Sequence, residues 1–267
     1  MNLSIIIVSY NAADDLDRCL ESLHGAAPAI PHDVTVVDNA SSDGGIERVR
    51  VRWPKVRTIV LPENRGFAVG NNAGIRATTG ELLLLLNSDT IVPPGAIDAL
   101  VARLQAHPTA AIAGPRLLDD SGRPEISFGS MISPLAELRQ KIVGRLYASG
   151  VPFVVTRIDR LSREEQFVDW VSGACLLVYR ADAEAVGLLD ERYFLYTEDV
   201  DFCAAVRDRG RKVLFTPAAT ITHVRGRSRA AVPGAMNDAY RRSQIAFYEK
   251  HHPAWAPVLR WYLRLKR

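Results

Sequence analysis

Leu82-Leu83-Leu84-Leu85-Leu86-Asn87-Ser88-Asp89 is the stretch that decides how this chain folds. An unbroken leucine run suits a strand covered on both faces, as found inside parallel sheets. With Glu81 before it, the run predicts a strand over 81–86. A carboxylate at the exit of such a strand is costly to place without a partner. A Mg²⁺ or Mn²⁺ ion bridging a diphosphate would be a natural one, since both ions favour carboxylate and phosphate oxygens. The alternative is that Asn87 to Thr90 cap a helix near Pro93-Pro94, a task Asn, Ser and Asp perform well.

Upstream, similar segments alternate with helical spacing. Leu3 to Ser9 is apolar and isoleucine-rich, Asp33 to Asp38 reads as a second strand, and Val56 to Leu61 as a third. Leu16, Cys19, Leu20 and Leu23 mark one face of a helix over 13–24. Asn39 to Gly45 is turn-rich, and another helix begins near Gly66 and ends before Gly80. This alternation predicts an α/β fold with a mainly parallel central sheet flanked by helices. Ligands of such sheets bind beyond the carboxyl ends of the strands. Polar residues gather there: Ser9 and Asn11 after the first strand, Asp38 and Asn39 after the second, and Asn87, Ser88 and Asp89 after the fourth.

Downstream, residues 119–166 mix Pro, Gly and Ser with short apolar pieces and read as an irregular insertion that shapes an acceptor site. Order returns at 167–179, with a strand over 212–215 and a helix over 237–250. The chain has 267 residues, 48% hydrophobic and 24% charged, which suits a globular protein that folds without disulfides. Cys19, Cys175 and Cys203 are an odd number without Cys-x-x-Cys spacing and read as reduced, buried thiols. The net charge of +3 is too small to argue for a nucleic-acid partner. Beyond His223, however, ten basic residues face only Asp238 and Glu249. The N-terminus lacks a basic leader and no apolar run is long enough to span a bilayer, so a cytoplasmic location is expected.

Three further elements carry possible chemistry. In Pro62-Glu63-Asn64-Arg65-Gly66-Phe67-Ala68-Val69-Gly70-Asn71-Asn72-Ala73-Gly74, glycines inside a helix ask for a reason, each costing about 1 kcal/mol relative to alanine. Close approach of an anionic ligand at the helix start is one reason; tight helix packing is the other. The spacing fits neither a dinucleotide fingerprint nor a Walker P-loop. Glu198-Asp199, preceded by Tyr193-Phe194-Leu195-Tyr196-Thr197, sets a carboxylate beside an apolar wall, where it can serve as general base. Alternatively, Thr197 caps a helix whose first turn simply collects acids. His223 ends the segment Ala218 to Thr222, either as a structural imidazole or as a metal ligand.

Taken in order, these motifs resemble glycosyltransferase family 2 with the GT-A fold. Ile6 to Asn11, Val36 to Gly44, Asn64 to Asn72 and Leu86 to Asp89 match its donor half. Ser172-Gly173-Ala174-Cys175, Val186 to Glu191, Phe194, Glu198 to Asp201, Arg207, Gly210 and Thr222-His223 match its acceptor half. The resemblance implies a GT-A domain over 1–225, with a nucleotide-sugar half (1–118) and an acceptor half (119–225), followed by a basic helical extension over 226–267. It implies that Ser9, Asn11, Asp38, Arg65, Asn72, Asn87 and Ser88 line the nucleotide-sugar pocket. It assigns the metal to Asp89 and His223, the catalytic base to Asp199, and the acceptor side to Gly173 and Glu198. Direct displacement with inversion would follow, using Mg²⁺ or Mn²⁺. The family's Asp-x-Asp motif opens here with Asn87, a variant common among rhamnosyltransferase-like members, so weaker metal binding is expected. The overall pattern is similar to bacterial rhamnosyltransferases of cell-surface polysaccharide synthesis, implying dTDP-L-rhamnose as donor and a glycan or polyprenyl-linked acceptor. A UDP-sugar donor and a non-catalytic sugar-binding module are the alternatives. The loop Ser9-Tyr10-Asn11-Ala12-Ala13 lacks the Gly-rich basic stretch of a sugar-nucleotide pyrophosphorylase. The aromatic and cationic residues over 252–267 suit either peripheral contact with the cytoplasmic face of the inner membrane or packing on the protein.

Overall fold

The computed structural model describes residues 1–224 and 233–265, with side chains from 238 onward in the second stretch. Arg225, Arg227, Arg229, Lys266 and Arg267 of the basic C-terminal tally lie outside the described residues. Strands β1 (Leu3–Ser9), β2 (His32–Asp38), β3 (Arg57–Val60) and β4 (Leu82–Asn87) run parallel. The remaining strands are β5 (Thr90–Ile91), β6 (Ala110–Leu118), β7 (Phe128–Gly129), β8 (Gln166–Val168), β9 (Trp170–Val171), β10 (Cys175–Tyr179) and β11 (Lys212–His223). The main sheet has the order β3-β2-β1-β4-β10-β6-β11-β5, with β8 also paired to β11. Between β4 and β6 lies β10, antiparallel to both, so the sheet is mixed.

The leucine run explains why both faces must be covered. Alternation along β4 sends Leu82, Leu84 and Leu86 to one apolar cluster, with α1 (Ala13–Gly25), α2 (Gly45–Arg52) and α4 (Ala96–Gln105). Leu83 and Leu85 join the other cluster, with α3 (Gly66–Arg76) and α8 (Glu198–Asp208). All five leucines are at most 1% exposed. Short α7 (Arg180–Ala185) follows β10, and α9 (Pro233–His251) and α10 (Ala256–Leu265) close the second face through Phe247, Tyr248 and Leu259. The three cysteines are free and buried, and burial pushes the Cys19 thiol up to about 11.

Three expectations change. Residues 119–166 are largely helical, forming α5 (Pro134–Ala148) and α6 (Pro152–Leu161), each opened by a proline at its first turn. The turn after β2 gives way to α2 at Gly45. The helix after β4 starts at Ala96 behind a left-handed Gly95, with β5 intervening, so Asn87 to Thr90 cap nothing.

Candidate active site

Chain order places the switch point of the sheet between β1 and β4: β2 and β3 build outward on one side of β1, and β4 returns on the other. Ligand crevices form at that place. Ser9 and Leu86 to Asp89 end these two strands, and antiparallel β10 brings its starting end, Ser172-Gly173-Ala174-Cys175, to the same rim because Cys175 pairs with Leu86.

On the β1–β2 side, Asp38 is buried and its Oδ2 accepts from the Ser41 amide at 3.2 Å. Asn11 sits at φ 47°, accepts from the Ser42 amide at 2.9 Å and donates its own amide to Ser41 Oγ. The two strand exits are thereby stitched together, with Ser9 buried beneath. Asn39, which the sequence suggested only as strand-end polarity, organises the next loop. Its Oδ1 accepts from the Arg65 amide at 3.0 Å and its Nδ2 donates to the Gly66 carbonyl at 3.1 Å. The Arg65 guanidinium itself remains about half exposed, with only a loose pairing to Glu63 at 4.0 Å.

Gly66 has φ +88°, and a Cβ there would lie 2.1 Å from the Phe194 carbonyl oxygen. That oxygen accepts from the Phe67 amide at 2.9 Å, so the start of α3 is locked to the loop before Asp199. Gly70 and Gly74 answer to packing instead: Cβ atoms there would meet Val8 at 2.7 Å and Ile6 at 2.5 Å on β1. The Asn72 amide is 1% exposed, donates to the Leu189 carbonyl and Glu191, and accepts from the Leu189 amide at 3.1 Å. Both ends of its side chain hold the 189–191 loop, so the structure assigns Asn72 a positioning contact there.

On the β4 side, the ends of β4, β5 and β11 converge. Asp89 Oδ1 lies 3.2 Å from His223 Nε2, and Asn87 Nδ2 lies 3.4 Å from the same nitrogen. Antiparallel pairing of β5 with the end of β11 enforces this, with His223 opposite Thr90. The other imidazole nitrogen, Nδ1, is 3.1 Å from buried Glu125 Oε2. Burial opposes charging this imidazole, yet hydrogen bonds and negative charge from Asp89 and Glu125 outweigh it and raise its pKa to about 9. Sequence reasoning missed Glu125 because its partner is 98 residues away. Ser88 is half-buried on the same turn.

Asp199 is held from both sides. Its Oδ2 accepts from the Gly173 amide and its Oδ1 from the Val200 amide, each at 2.8 Å. Gly173 leaves no spare room: a Cβ would meet Phe67 at 3.2 Å and Asp199 Cβ at 3.3 Å. The next residue, Ala174, accepts from the Asn87 amide at 2.9 Å. A short path of contacts therefore joins Asp199, through Gly173-Ala174 and Asn87, to His223 and Asp89. Thr197 stands at the start of α8 but does not cap it; its hydroxyl donates to the Tyr196 carbonyl. Tyr196 and Thr197 both have positive φ, 68° and 69°, which is strained for a β-branched residue and common beside active sites. Glu198 is buried, and desolvation, reinforced by the neighbouring Asp199, pushes its carboxyl well above the usual range. Asp201, the third acid, faces elsewhere, bonded to Tyr193, Lys250 and His251.

A divalent ion fits this rim in part. Asp89 and His223 offer one carboxylate and one imidazole, a donor pair suited to Mn²⁺ or Mg²⁺ when phosphate oxygens and water complete the shell. Among the described residues no three His, Cys, Asp or Glu side chains form a closed metal site. Two surface hollows of about 310 and 340 Å³ involve none of Ser9, Asp38, Asp89, Asp199 and His223.

Comparison with known proteins agrees with the geometry. The chain is 32% identical, over 98% of its length and 89% of the relative's, to the N-acetylglucosaminyl-diphospho-decaprenol L-rhamnosyltransferase of Mycobacterium tuberculosis. A low-salt glycan biosynthesis hexosyltransferase of Haloferax volcanii is 30% identical over 77% of this chain and 62% of its own. Among solved structures, the mannosyltransferase PcManGT of Pyrobaculum calidifontis, in complex with GDP-Man and Mn²⁺, superposes with TM-score 0.62 at 18% identity, covering 97% of this chain and 68% of that one. GalNAc-T7 with UDP, GalNAc and Mn²⁺ does so with TM-score 0.63 at 16% identity, over 92% and 48%. The fold is accordingly GT-A. The profile described as Glycosyl transferase family 2 matches residues 4–160, and the chain belongs to that family.

Proposed function

We propose that this glycosyltransferase moves a sugar, with dTDP-L-rhamnose the favoured donor, onto a hydroxyl of a lipid-linked glycan, inverting the anomeric centre. The path of contacts linking Asp199 to Asp89 across the Gly173-Ala174 peptide is the observation that carries this reading, because it brings two carboxylates to one rim, where Asp199 would act as base and Asp89 would face the diphosphate. The rhamnosyltransferase relative supports the donor and the lipid-linked acceptor.

The nucleotide would lie over the β1–β2 exits, with Asp38, Ser9 and Asn11 toward the nucleoside and Arg65, Asn87 and Ser88 toward the diphosphate. Asp89 and His223 would hold a Mg²⁺ or Mn²⁺ ion, which supplies positive charge against the departing diphosphate. Asp199 takes the proton of the acceptor hydroxyl as its oxygen bonds to the anomeric carbon. The bond from that carbon to the diphosphate oxygen breaks at the same time, and the nucleoside diphosphate leaves with the bonding pair. Attack from the opposite face makes one displacement, hence inversion. Two backbone amides keep Asp199 in place, so little reorganisation accompanies proton transfer. Glu198, whose carboxyl burial and the neighbouring Asp199 push upward, would lie with Gly173 on the acceptor side. No helix among the described residues is long and apolar enough to cross a membrane; a lipid-linked acceptor would be met by peripheral contact at the cytoplasmic face.

Nucleotide release from dTDP-, UDP- and GDP-sugars, with Mg²⁺, Mn²⁺ or chelator, tests the reading. Metal-dependent release from dTDP-rhamnose is expected. Preference for a UDP-sugar would keep the chemistry and discard rhamnose. Silence and lack of binding across the panel would overturn the donor pocket and favour a non-catalytic module.

A further inference from the structure

The helix α5 is turned inside out. Its one acid, Glu137, is 9% exposed and sits inward, accepting from the Tyr248 hydroxyl at 2.8 Å, from Gln244, and pairing with Lys141 at 3.0 Å. Its apolar side chains face out instead: Leu135 is 81% exposed, Leu138 57%, Ile142 49% and Leu146 40%. Steps of three, four and four residues put them in one stripe along the helix. Arg139, Lys141 and Arg145 are exposed on the same helix, and its one acid is taken up by Lys141 and the inward contacts, which leaves the two arginines without a carboxylate of their own helix. Phe153, 74% exposed, opens α6 just beyond.

The same pattern recurs in α10. Ala256 and Leu259 turn inward, whereas Val258, Trp261 and Leu265 are exposed by 51%, 64% and 67%. Arg260 and Arg264 are its only charges, the former paired with Glu249. The two helices set out from one joint, because His252 Nε2, on the lead into α10, lies 2.7 Å from the carbonyl of Ile132, one residue before the Ser133 cap of α5.

We propose that α5 and α10 together form a surface that lies flat on an anionic lipid bilayer. Contiguous exposed leucines on a monomer call for a cover. The charge identifies it: each apolar stripe is flanked by arginine or lysine without exposed carboxylates of its own helix, complementary to phosphate headgroups rather than to a neutral or basic partner. Trp255 and Trp261 add the aromatic residues that favour the headgroup boundary. At fifteen residues α5 is about 22 Å long, too short to span a bilayer and suited to resting in its plane. The surface is coupled to the chemistry, since Glu137 ties α5 to α9, and Ser243 of α9 donates to the Leu195 carbonyl, four residues before Asp199. The proposal rests on the reading that the acceptor is lipid-linked, and it assigns the surface that brings the site to that acceptor.

Co-sedimentation of the full chain with vesicles of phosphatidylcholine, alone or mixed with phosphatidylglycerol, tests it. The expected result is binding to the anionic vesicles at least tenfold above the neutral ones, weakened by added salt. The doubly substituted Leu138→Glu/Ile142→Glu chain should lose that binding tenfold or more while keeping its melting temperature and its donor hydrolysis in solution. Arg139→Glu/Arg145→Glu should lose the anionic preference alone. Equal binding by all three proteins, or none by the wild type, would overturn the proposal. So would a concentration-dependent dimer in analytical ultracentrifugation that Leu138→Glu/Ile142→Glu abolishes, since a second copy would then be the cover. Intact vesicle binding beside a silent donor panel would leave the surface standing and sink the enzymatic reading instead.

Discussion

Substituting Gly66 by alanine should cost more than either of two other glycines, and the difference can be worked from local geometry. At Gly144, inside α5, φ is ordinary and an added Cβ meets nothing within 4 Å. Alanine there should stabilise by about 0.5–1 kcal/mol through helix propensity. At Gly122, φ is +79° with open space around it, so alanine carries only the left-handed backbone cost of about 1–2 kcal/mol. Gly66 combines φ +88° with a Cβ 2.1 Å from the Phe194 oxygen, a backbone atom that cannot step aside alone. Relief requires opening the Phe67–Phe194 hydrogen bond, worth about 1 kcal/mol. A total loss of about 2–3 kcal/mol is expected, read as a lower urea midpoint at unchanged slope. Because the displaced loop runs on to Asp199, sugar transfer should also fall, whereas Gly122→Ala should leave it alone. Gly66→Ala with the midpoint of Gly122→Ala and full activity would refute the idea that this contact positions the base.

Other consequences follow from single contacts. Glu165 is held by Arg103 and by Thr216 at 2.6 Å, and the Arg103 hydrogen bond foremost pulls its carboxyl down to about 2. A depressed carboxylate stabilises the fold above its unfolded pKa of 4.5, and the contribution fades as pH falls through that value toward 2. Screening at a side chain 24% exposed limits the loss in Glu165→Gln to about 1–2 kcal/mol at pH 7, shrinking toward nothing near pH 2, as denaturant titrations across pH would reveal. Glu125→Ala frees the Nδ1 side of His223 and should weaken Mn²⁺ binding by about 10–100-fold in calorimetry with nucleotide present, while unchanged affinity would remove Glu125 from the metal's support. Asn72→Ala strands the Leu189 amide and carbonyl and should cost about 1–3 kcal/mol with nucleotide affinity unaltered; a large rise in Kd would place Asn72 in the donor pocket.

Much of the N-terminal half is legible in the chain because its strands are buried on both faces and end in polar residues. The run Leu82 to Leu86 states its own environment, and the carboxylate after it needs a reason wherever it lands. The rim around His223 is less legible: strand termination hints at it, but Glu125 is brought there by tertiary pairing alone. Asn72 reads like its neighbours in the Asn-rich motif and yet points at the 189–191 loop, since its position on the α3 face is what matters. Helices α5 and α6 escape pattern reading for a physical reason. With Glu137 inside and leucines outside, α5 does not present the apolar face to the core that periodicity is used to detect. The start of α8 misleads differently, because Thr197 occupies a capping position in a left-handed conformation that removes its hydroxyl from the helix.

The most direct test of the account compares Asp199→Asn with the wild type in single-turnover transfer from dTDP-rhamnose to a lipid-linked N-acetylglucosamine acceptor, alongside calorimetry of donor binding. Asparagine keeps one acceptor oxygen for the Gly173 amide and gives up the one that serves Val200, a local change away from the β1–β2 exits, so donor affinity should hold while transfer falls by about 10²–10⁴-fold, the range expected for loss of a general base. Transfer at the wild-type rate by Asp199→Asn would contradict the central claim.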